Sequence, residues 1–468
     1  MADFQLPAGT HYAMLDAIPA RFGGVTASTL QRSRAFVVWA GIEVSILTWE
    51  DRPDYHEVRQ SLRANGLLVD GMHVVNMWDE ARQWPDAYLR AAAFDRPIPA
   101  GFEPLGGRGV SAGAFRRILR DDDSLPRQVD CNRDDGTLLA SYLYSESGVE
   151  EAIVLCDRTG EPLGAWSSTP GLQKHWLDSL PRDPVAWMIF DSKVSAAMLA
   201  DYQRPDVVKI HVVRGSHLKR GESPMRELVT SRQSVMENLG EWDSVTFLTQ
   251  SQRADVEARF GPQPNLHVVP NSRNAPGRSP RSFRRAGRGV MVASLEARKR
   301  VSHAVRDMAR VQRRMPRRRP RLDVWGAGPM EAELRALIKA RNAPVRLRGF
   351  SPDAREKFSK ASFSLLTSRS EGLPGVLIES MGRGCIPISY DMPYGPSDII
   401  THGVDGFLVP DGDSLALADQ ITWIVRAKRS ELAPMRKAAR ARALRFNDEH
   451  VVGLWSGLMA EIAGRRGF

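Results

Sequence analysis

The chain has 468 residues, with 65 lysines and arginines against 55 acidic residues and a formal net charge of +10 at pH 7. No apolar run approaches the ~18 residues of a membrane-spanning helix, and the three cysteines lie far apart without metal-ligand spacing. These features exclude a helical membrane protein, a disulfide scaffold and a structural zinc site. An acidic amino-terminal sequence without a signal-peptide pattern predicts a cytoplasmic location.

A glycine turn opens the first predicted helix. Gly23 and Gly24 stand before a helical stretch, and the run 42–48 that follows predicts a strand. Paired glycines let a ligand approach the backbone closely. We therefore expect Gly23 and Gly24 to lie in a loop that faces a ligand, the alternative being a plain strand-to-helix turn.

Three further apolar runs, at 186–191, 207–213 and 244–252, predict strands. Because they alternate with helical stretches, they indicate an α/β domain whose parallel sheet binds ligands at the carboxyl ends of its strands. An interruption precedes them. Asp/Gly turns at Gly136 and Gly160 separate short alternating strands, which predicts hairpins and a mostly antiparallel insertion at roughly 102–173.

Positive charge is concentrated in the middle of the chain. Between residues 273 and 319 there are sixteen lysines and arginines and only two acidic residues, so the rest of the chain is net negative. The Pro/Gly/Ser/Arg-rich segment 272–289 predicts an interdomain linker, and 313–321 is a dense arginine run. Such a surface favours an anionic polymer or an anionic membrane. No aromatic residues lie among the arginines of 313–321, which argues against nucleic acid.

The most informative pattern is a pair of carboxylates around a second glycine turn. Glu371 and Glu379 have seven residues between them, the run 363–368 predicts a buried strand before them, and apolar residues from 376 onward have helical spacing. If the whole segment were helical, the two glutamates would be roughly 12 Å apart. That exceeds the ~5–9.5 Å at which two carboxylates act on one bond. We therefore expect them to contact different parts of one long ligand.

The turn itself is suited to an anion. Pro374 fits the first turn of a helix, where its missing N–H costs nothing. Gly372 and Gly375, on either side of Leu373 and Pro374, allow backbone amides to approach a ligand. Free amides and the helix dipole form a seat for phosphate. A diphosphate-linked sugar is a ligand of this kind.

The carboxyl-terminal half resembles the signature region of the retaining, two-domain GT-B glycosyltransferases of family four. The resemblance rests on the E-x7-E pattern of Glu371 and Glu379 and on the blocks 322–329, 345–350, 384–389 and 403–409 in the same order. Gly326 and Gly328 resemble the family's glycine turn beside the ligand cleft, and the chain lacks the third glycine of an NAD fingerprint. The insertion and the segment 212–218 resemble the bacterial wall-teichoic-acid α-glycosyltransferases, in which such an insertion serves oligomer assembly.

This resemblance implies a site and an activity. Glu371 would bind hydroxyls of the donor sugar and Glu379 the ribose, while Lys299 and the amides of Leu373–Gly375 would hold the diphosphate. His217 would bind near the leaving group. The implied reaction transfers a hexose from UDP-glucose or UDP-N-acetylglucosamine to a hydroxyl acceptor with retention, without an enzyme nucleophile, metal or other cofactor. The acceptor would be a polyol-phosphate or another cell-surface glycopolymer, and the protein a homo-oligomer in contact with the inner face of the membrane.

Two departures from the family pattern leave alternatives open. Ser294 stands where the family has an arginine beside the diphosphate, with Arg298 and Arg300 as substitutes, and Arg214 stands where it has a first histidine. A chain that has lost turnover and serves as a binding or assembly subunit is one alternative. A sugar-nucleotide epimerase on the same architecture is the other.

The predicted organisation has two Rossmann-like domains facing a cleft. Residues 1–272 form an acceptor-side domain that contains the insertion, and 273–447 form the nucleotide-sugar domain. Residues 448–468 form a C-terminal helix; the resemblance implies that it returns to brace the first domain, and a simple terminal helix is the alternative. The acidic runs 121–123 and 411–413 superficially resemble magnesium sites, but both lie in loops away from the signature region. We therefore expect no metal.

Overall fold

The structure is a computed structural model that describes residues 4–20, 22–52, 54–111, 115–120, 125–219, 227–274, 284 and 287–468. Its contacts divide the chain into two compact units. The first contains Met1–Pro7, Val212–Gln233 and Ser244–Phe468, and the second contains Ala8–His211 and Ser234–Asp243. Most of the predicted linker and the acidic run 121–123 lie outside the described residues, and the domain limits at 272 and 447 stay predictions.

The elements up to residue 213 alternate between strand and helix around a block of six strands. In chain order they are β1 (Thr10–Met14), α1 (Gly24–Ala40), β2 (Val44–Thr48), α2 (Tyr55–Ala64), β3 (Met72–Asn76), α3 (Met77–Ala81), α4 (Asp86–Arg90), β4 (Val110–Ser111), β5 (Arg116–Arg120), β6 (Pro126–Asn132), β7 (Leu138–Tyr144), β8 (Glu150–Cys156), β9 (Pro162–Trp166), α5 (Thr169–Ser179), β10 (Ala186–Phe190), α6 (Lys193–Met198) and β11 (Val207–Val213).

The remaining elements repeat the alternation. They are α7 (Thr230–Glu237), β12 (Ser244–Phe247), α8 (Gln250–Phe260), β13 (Leu266–Val268), β14 (Arg288–Val292), α9 (Val301–Arg314), β15 (Arg321–Trp325), α10 (Glu331–Arg341), β16 (Val345–Leu347), β17 (Phe363–Leu366), α11 (Gly375–Gly382), β18 (Ile386–Asp391), α12 (Pro396–Ile399), β19 (Phe407–Pro410), α13 (Ser414–Arg426), α14 (Arg429–Ala443) and α15 (Asp448–Arg466). Short 3₁₀ helices occur at Leu239–Glu241, Ala297–Lys299, Pro316–Arg318, Pro352–Lys360 and Leu444–Phe446.

Two sheets have the strand order of a nucleotide-binding fold. The first is ordered β13-β12-β11-β10-β1-β2-β3, and β11, β10, β1, β2 and β3 run parallel. The second is ordered β16-β15-β14-β17-β18-β19 and is parallel throughout. In such sheets ligands bind beyond the carboxyl ends of the strands, where the strand order reverses. In the second sheet that point lies between β14 and β17.

The predicted insertion is an antiparallel sheet. Its strands pair in the order β4-β5-β6-β7-β8-β9, each antiparallel to the next. Gly136 and Gly160 occupy the turns after β6 and β8 with φ angles of 84° and 90°, a region that favours glycine. The two hairpins read from the sequence are therefore confirmed.

The core of the first unit lies between the second sheet and its helices. Helix α9 shows why it forms there, since Val301, Ala304, Val305, Met308 and Val311 recur at helical spacing and are all buried. The helix thereby packs one apolar face on the sheet while its arginines face outward.

Contacts outside the sheet also hold the first unit together. The carboxylate of Asp398 accepts a hydrogen bond from the backbone N–H of Gln250 at 2.7 Å, at the start of α8. Farther along the chain, the α15 residue Glu461 lies 3.2 Å from His267. No helix within the described ranges combines the length and apolar character needed to span a bilayer.

Candidate active site

The loops after β14 and β17 meet at the point where the strand order of the second sheet reverses. Lys299, in the 3₁₀ turn after β14, donates to Oε1 of Glu371 at 2.5 Å. Arg298 lies on the other side of the same carboxylate, with its guanidinium 3.4 Å from Oε2. The Lys299 and Glu371 side chains are each about 15% exposed. The fold thus holds one partly exposed carboxylate between two cations at its expected ligand-binding edge.

Arg300 serves as a cross-link between these loops. Its backbone is left-handed, with φ 46°, and its guanidinium donates to the carbonyl oxygens of Thr367 at 2.8 Å and Ser368 at 2.6 Å. It also forms an ion pair with Asp411. The hydroxyl of Thr367 donates back to the carbonyl oxygen of Lys299 at 2.9 Å. Of the two arginines expected to replace the one missing at position 294, Arg300 is therefore engaged in structure, and Arg298 is the one beside Glu371.

The glycine turn before α11 approaches other backbone closely. A Cβ atom at Gly372 would lie 2.7 Å from the carbonyl oxygen of Arg214, so only glycine fits there without a shift. Pro374 is the N-cap residue, one position earlier than the first-turn position expected, and the helix begins at Gly375 without a side-chain cap. The segment between the two glutamates is thus only partly helical.

Glu379 is buried among arginines that the sequence did not identify. Its Oε1 lies 3.5 Å from Arg273 and its Oε2 lies 3.1 Å from Arg355. Burial raises the pKa of Glu379, and the charges of Arg355, Arg273 and Arg383 oppose that rise. Burial likewise lowers the pKa of Arg273. Arg273 lies in the basic segment of the sequence, but nothing in its spacing connects it with Glu379.

Gly326 and Gly328 lie beside the loop after β14. A Cβ at Gly326 would overlap the carbonyl oxygen of Ala293, and one at Gly328 would lie 2.6 Å from that of Leu295. Gly326 also donates a backbone hydrogen bond to Gly349 at 2.8 Å. Close packing of neighbouring turns therefore accounts for both glycines, and donor binding by them stays a prediction.

His217 is fully buried in the first unit. Its ring stacks on Tyr394, with centroids 5.9 Å apart, and its Nδ1 lies 3.4 Å from the amide nitrogen of Gln252. Gln252 in turn donates to the carbonyl oxygen of Gly215 at 2.9 Å, and Arg214 donates to the side chain of Asn271. The loop that carries His217 is therefore ordered by its neighbours and packs on Gly372.

Gly23 and Gly24 belong to the second unit, at the start of α1. No atom lies within 4 Å of a Cβ placed on either residue, and both residues are exposed. Neither packing nor a positive φ requires glycine here. A ligand-facing role remains the prediction for this turn.

In the part of the chain that the structure describes, no group of three or more His, Cys, Asp or Glu side chains is placed to bind a metal ion. In the run 411–413, Asp411 pairs with Arg300, and Asp413 caps α13 by accepting from two backbone N–H groups. Both aspartates thus have structural partners.

Comparison with known proteins agrees with this geometry. Residues 287–427 match the family described as glycosyl transferases group 1. A poly(glycerol-phosphate) alpha-glucosyltransferase of Bacillus subtilis is 24% identical across 86% of this chain and 68% of that protein. An exopolysaccharide phosphotransferase of Streptomyces coelicolor is 32% identical, but across 48% of this chain and 24% of that protein. The chain therefore spans about a quarter of the length of that relative.

Among solved structures, a mutant of TarM from S. aureus in complex with fondaparinux, alpha-GlcNAc-glycerol and UDP has a TM-score of 0.73. The match covers 97% of this chain and 100% of that chain at 17% identity. Such a likeness concerns the fold, and it confirms the predicted α/β class with its antiparallel insertion. The chain has the GT-B fold, and its residues 287–427 form a domain that matches the group 1 glycosyl transferases.

Proposed function

We propose that the chain is a retaining glycosyltransferase that moves glucose or N-acetylglucosamine from a UDP-sugar to a hydroxyl of a polyol-phosphate polymer. The observation that carries the proposal is the Glu371 carboxylate, which Lys299 and Arg298 contact from two sides where the strand order reverses. This is the edge at which a sheet of this order binds nucleotides. The names of the relatives support the transferase class and the polymer acceptor.

Glu371 and Lys299 fit complementary tasks. An ionised carboxylate has about four acceptor sites and an ammonium group has three donors. After their mutual hydrogen bond, Glu371 retains acceptors for the hydroxyls of the donor sugar, and Lys299 retains donors for the diphosphate. Positive charge at that diphosphate stabilises the leaving group as its bond to the sugar breaks.

Glu379 is assigned to the ribose. Its ion pairs with Arg273 and Arg355 leave acceptor sites for two ribose hydroxyls. The charges of the same arginines favour the ionised form of this buried carboxylate and oppose the rise in its pKa that burial causes.

The proposed chemistry needs no enzyme nucleophile. The acceptor hydroxyl attacks from the face that the diphosphate leaves, and a departing phosphate oxygen takes the hydroxyl proton. His217 fits a positioning role near the leaving group, because Tyr394 and Gln252 fix its ring. Gly23 and Gly24 are assigned to the acceptor side.

The acceptor class is supported by an exposed basic surface, defined as Arg313 and Arg317–Arg319. These arginines precede β15, at the opposite end of the second sheet from Lys299. An extended anionic polymer can contact this surface and still reach the site, and an anionic membrane is the other partner that its charge suits.

Assembly through the insertion is the last part of the proposal. Three apolar residues of the insertion, Val110, Leu125 and Val149, are 57–74% exposed. A Cβ at Gly148 would overlap the Leu125 side chain, so Leu125 and Val149 are close neighbours. Leu125 and Val149 thus form an exposed apolar cluster just before β6 and β8, and such a cluster suits contact with a second copy of the chain.

The test is UDP release by the purified protein with UDP-glucose and, separately, UDP-N-acetylglucosamine, each with and without EDTA, using a polyol-phosphate oligomer as acceptor. We expect release with one donor, unchanged by EDTA and absent in Glu371→Ala. Silence with both donors despite UDP binding would instead indicate a chain that binds without turnover. Conversion of the free nucleotide sugar would indicate an epimerase.

A further inference from the structure

Arg232 is a cation of the first unit that has no side-chain partner among the described residues. It lies on α7 and is half-buried, and within the described ranges its guanidinium makes no hydrogen bond and no ion pair. Burial lowers the pKa of Arg232 to about 10, and no acidic side chain of the described ranges counteracts the effect. The group nevertheless stays charged at neutral pH. A largely desolvated cation that has no anionic partner among the described residues is costly unless a ligand provides one.

Arg232 lies near the turn 371–374, which precedes α11 and is proposed to bind the donor. Its Nη2 would lie 3.5 Å from a Cβ on Gly215, and the Cα of Gly215 would lie 3.2 Å from a Cβ on Gly372. Gly372 directly follows Glu371. The Arg232 guanidinium therefore lies beside the loop at 214–215, and that loop packs against the turn that precedes α11.

The side chains around that turn carry too little positive charge to balance a diphosphate. The side chains at this turn include two cations, Lys299 and Arg298, and one carboxylate, Glu371, which together give a net charge of +1. The diphosphate of a nucleotide sugar carries two negative charges. Arg300 is engaged with backbone carbonyls and Asp411, and Ser294 supplies no charge. One more cation is needed for neutrality, and Arg232 is available.

We propose that Arg232 binds the diphosphate of the nucleotide donor and supplies the second positive charge that position 294 lacks. This inference rests on the proposed function and adds to it a residue from a different part of the chain. A planar guanidinium with five donors suits two oxygens of one phosphate group, which a serine at position 294 cannot replace.

The test measures the affinity of the full chain for UDP and for uridine by isothermal titration calorimetry. Arg232→Gln removes the charge at similar size, Arg232→Lys keeps it, and Arg429→Gln removes an exposed arginine at the start of α14 as the matched control. We expect Arg232→Gln to weaken UDP binding about 10-fold to 100-fold, the cost of one charge-assisted hydrogen bond. Uridine binding should stay unchanged, and Arg232→Lys should fall between the parent and Arg232→Gln.

Several outcomes would overturn the inference. If folded Arg232→Gln binds UDP as tightly as the parent, Arg232 does not contact the diphosphate, and the proposed function is unaffected. Equal losses for UDP and uridine would show a structural role instead. If Arg232→Gln does not fold, the UDP affinity of Arg232→Lys is the deciding measurement. An affinity equal to that of the parent would exclude bidentate binding of the diphosphate by Arg232. A parent that does not bind UDP would remove the proposed donor and this inference with it.

Discussion

Lys299 and Glu371 are separated by 72 positions in the sequence, yet their charged groups lie 2.5 Å apart across the loops after β14 and β17. The pair is partly exposed, so its contribution to folding is modest, about 1 kcal/mol or less. Its value lies in orientation, because each partner fixes the other where the strand order reverses.

Replacing Glu371 should separate turnover from binding. Glu371→Ala removes the acceptor for the donor-sugar hydroxyls, and we expect the transfer rate to fall at least about 100-fold. UDP affinity should stay within a few-fold of the parent, since Lys299 keeps its charge. Steady-state rates and UDP titration measure the two effects. Transfer at the parent rate would refute the role assigned to Glu371.

Glu379 should affect both nucleotide binding and stability. Glu379→Gln keeps the size of the side chain but leaves buried Arg273 without its counter-charge. We expect weaker UDP binding and a Tm lower by roughly 2–8 °C, which corresponds to about 1–3 kcal/mol. Arg355→Gln is the matched control, because the Arg355 side chain is 61% exposed and its loss should cost little stability. Equal Tm values for the parent and Glu379→Gln would contradict the prediction.

Substitutions of Arg298 and Arg300 should have different effects, although only one residue separates the two in sequence. Arg298→Gln removes a charge beside Glu371, and we expect a rate about 10-fold lower with little change in Tm. Arg300→Gln breaks hydrogen bonds to two carbonyl oxygens, and we expect a lower Tm as well as a lower rate. Measuring the transfer rate and the Tm of both variants distinguishes a role at the site from a structural role. If Arg298→Gln lost stability and kept its rate, the assignment of the two arginines would have to be reversed.

Asp307 should make stability depend on pH. Burial raises its pKa from 3.8 to about 6, although it accepts hydrogen bonds from Arg310 and Ser414, and its Oδ2 has no partner among the described residues. The pKa of Asp307 is higher in the folded chain than in the unfolded chain, so the protonated carboxyl stabilises the fold. This stabilisation is fully present below about pH 4 and is lost as the pH rises through about 6. The difference amounts to at most about 3 kcal/mol.

Thermal unfolding of Asp307→Asn tests this dependence. The Tm of the variant relative to that of the parent should rise between pH 4.5 and pH 7.5, because the variant has no carboxyl group to ionise. Asp419→Asn is the control, since Asp419 is exposed and its Tm difference should stay constant. A constant difference for Asp307→Asn as well would contradict the shifted pKa.

The exposed apolar cluster of the insertion should determine the size of the assembly. Leu125→Glu combined with Val149→Glu should convert an oligomer to a monomer, as measured by light scattering during size-exclusion chromatography. Leu415→Glu places the same change on a residue of α13 that is 58% exposed and should have no effect. A parent chain that is already monomeric at tens of micromolar would refute assembly through this sheet.

Most of the fold could be predicted because its signals are local. Apolar runs identified the strands that became β2, β10, β11 and β17, and Asp/Gly turns identified the hairpins of the insertion. Glu371, Lys299 and the glycine turn were recognised because their spacing resembles a known family. These features depend on residues that are close in the sequence.

The partners of the predicted site residues could not be read from the sequence. Arg355 reaches Glu379 from a 3₁₀ turn. Arg232 lies on α7, about 140 positions before the turn 371–374 that it approaches. Only the tertiary fold brings such groups together, and an arginine in a basic chain gives no periodic signal. The difference between Arg298 and Arg300 likewise arises from the left-handed backbone at Arg300, which the residue type does not predict.

The hydrogen bond between Gln250 and Asp398 and the contact between His267 and Glu461 have a practical consequence. Each joins residues on opposite sides of 275–286, as does the backbone hydrogen bond from Arg273 to Phe446. Proteolytic cleavage of the chain within that segment would therefore leave two fragments that stay associated. Co-expressed halves divided there should reassemble, whereas residues 287–468 produced alone would lack the strand, helix and loop partners that complete the unit.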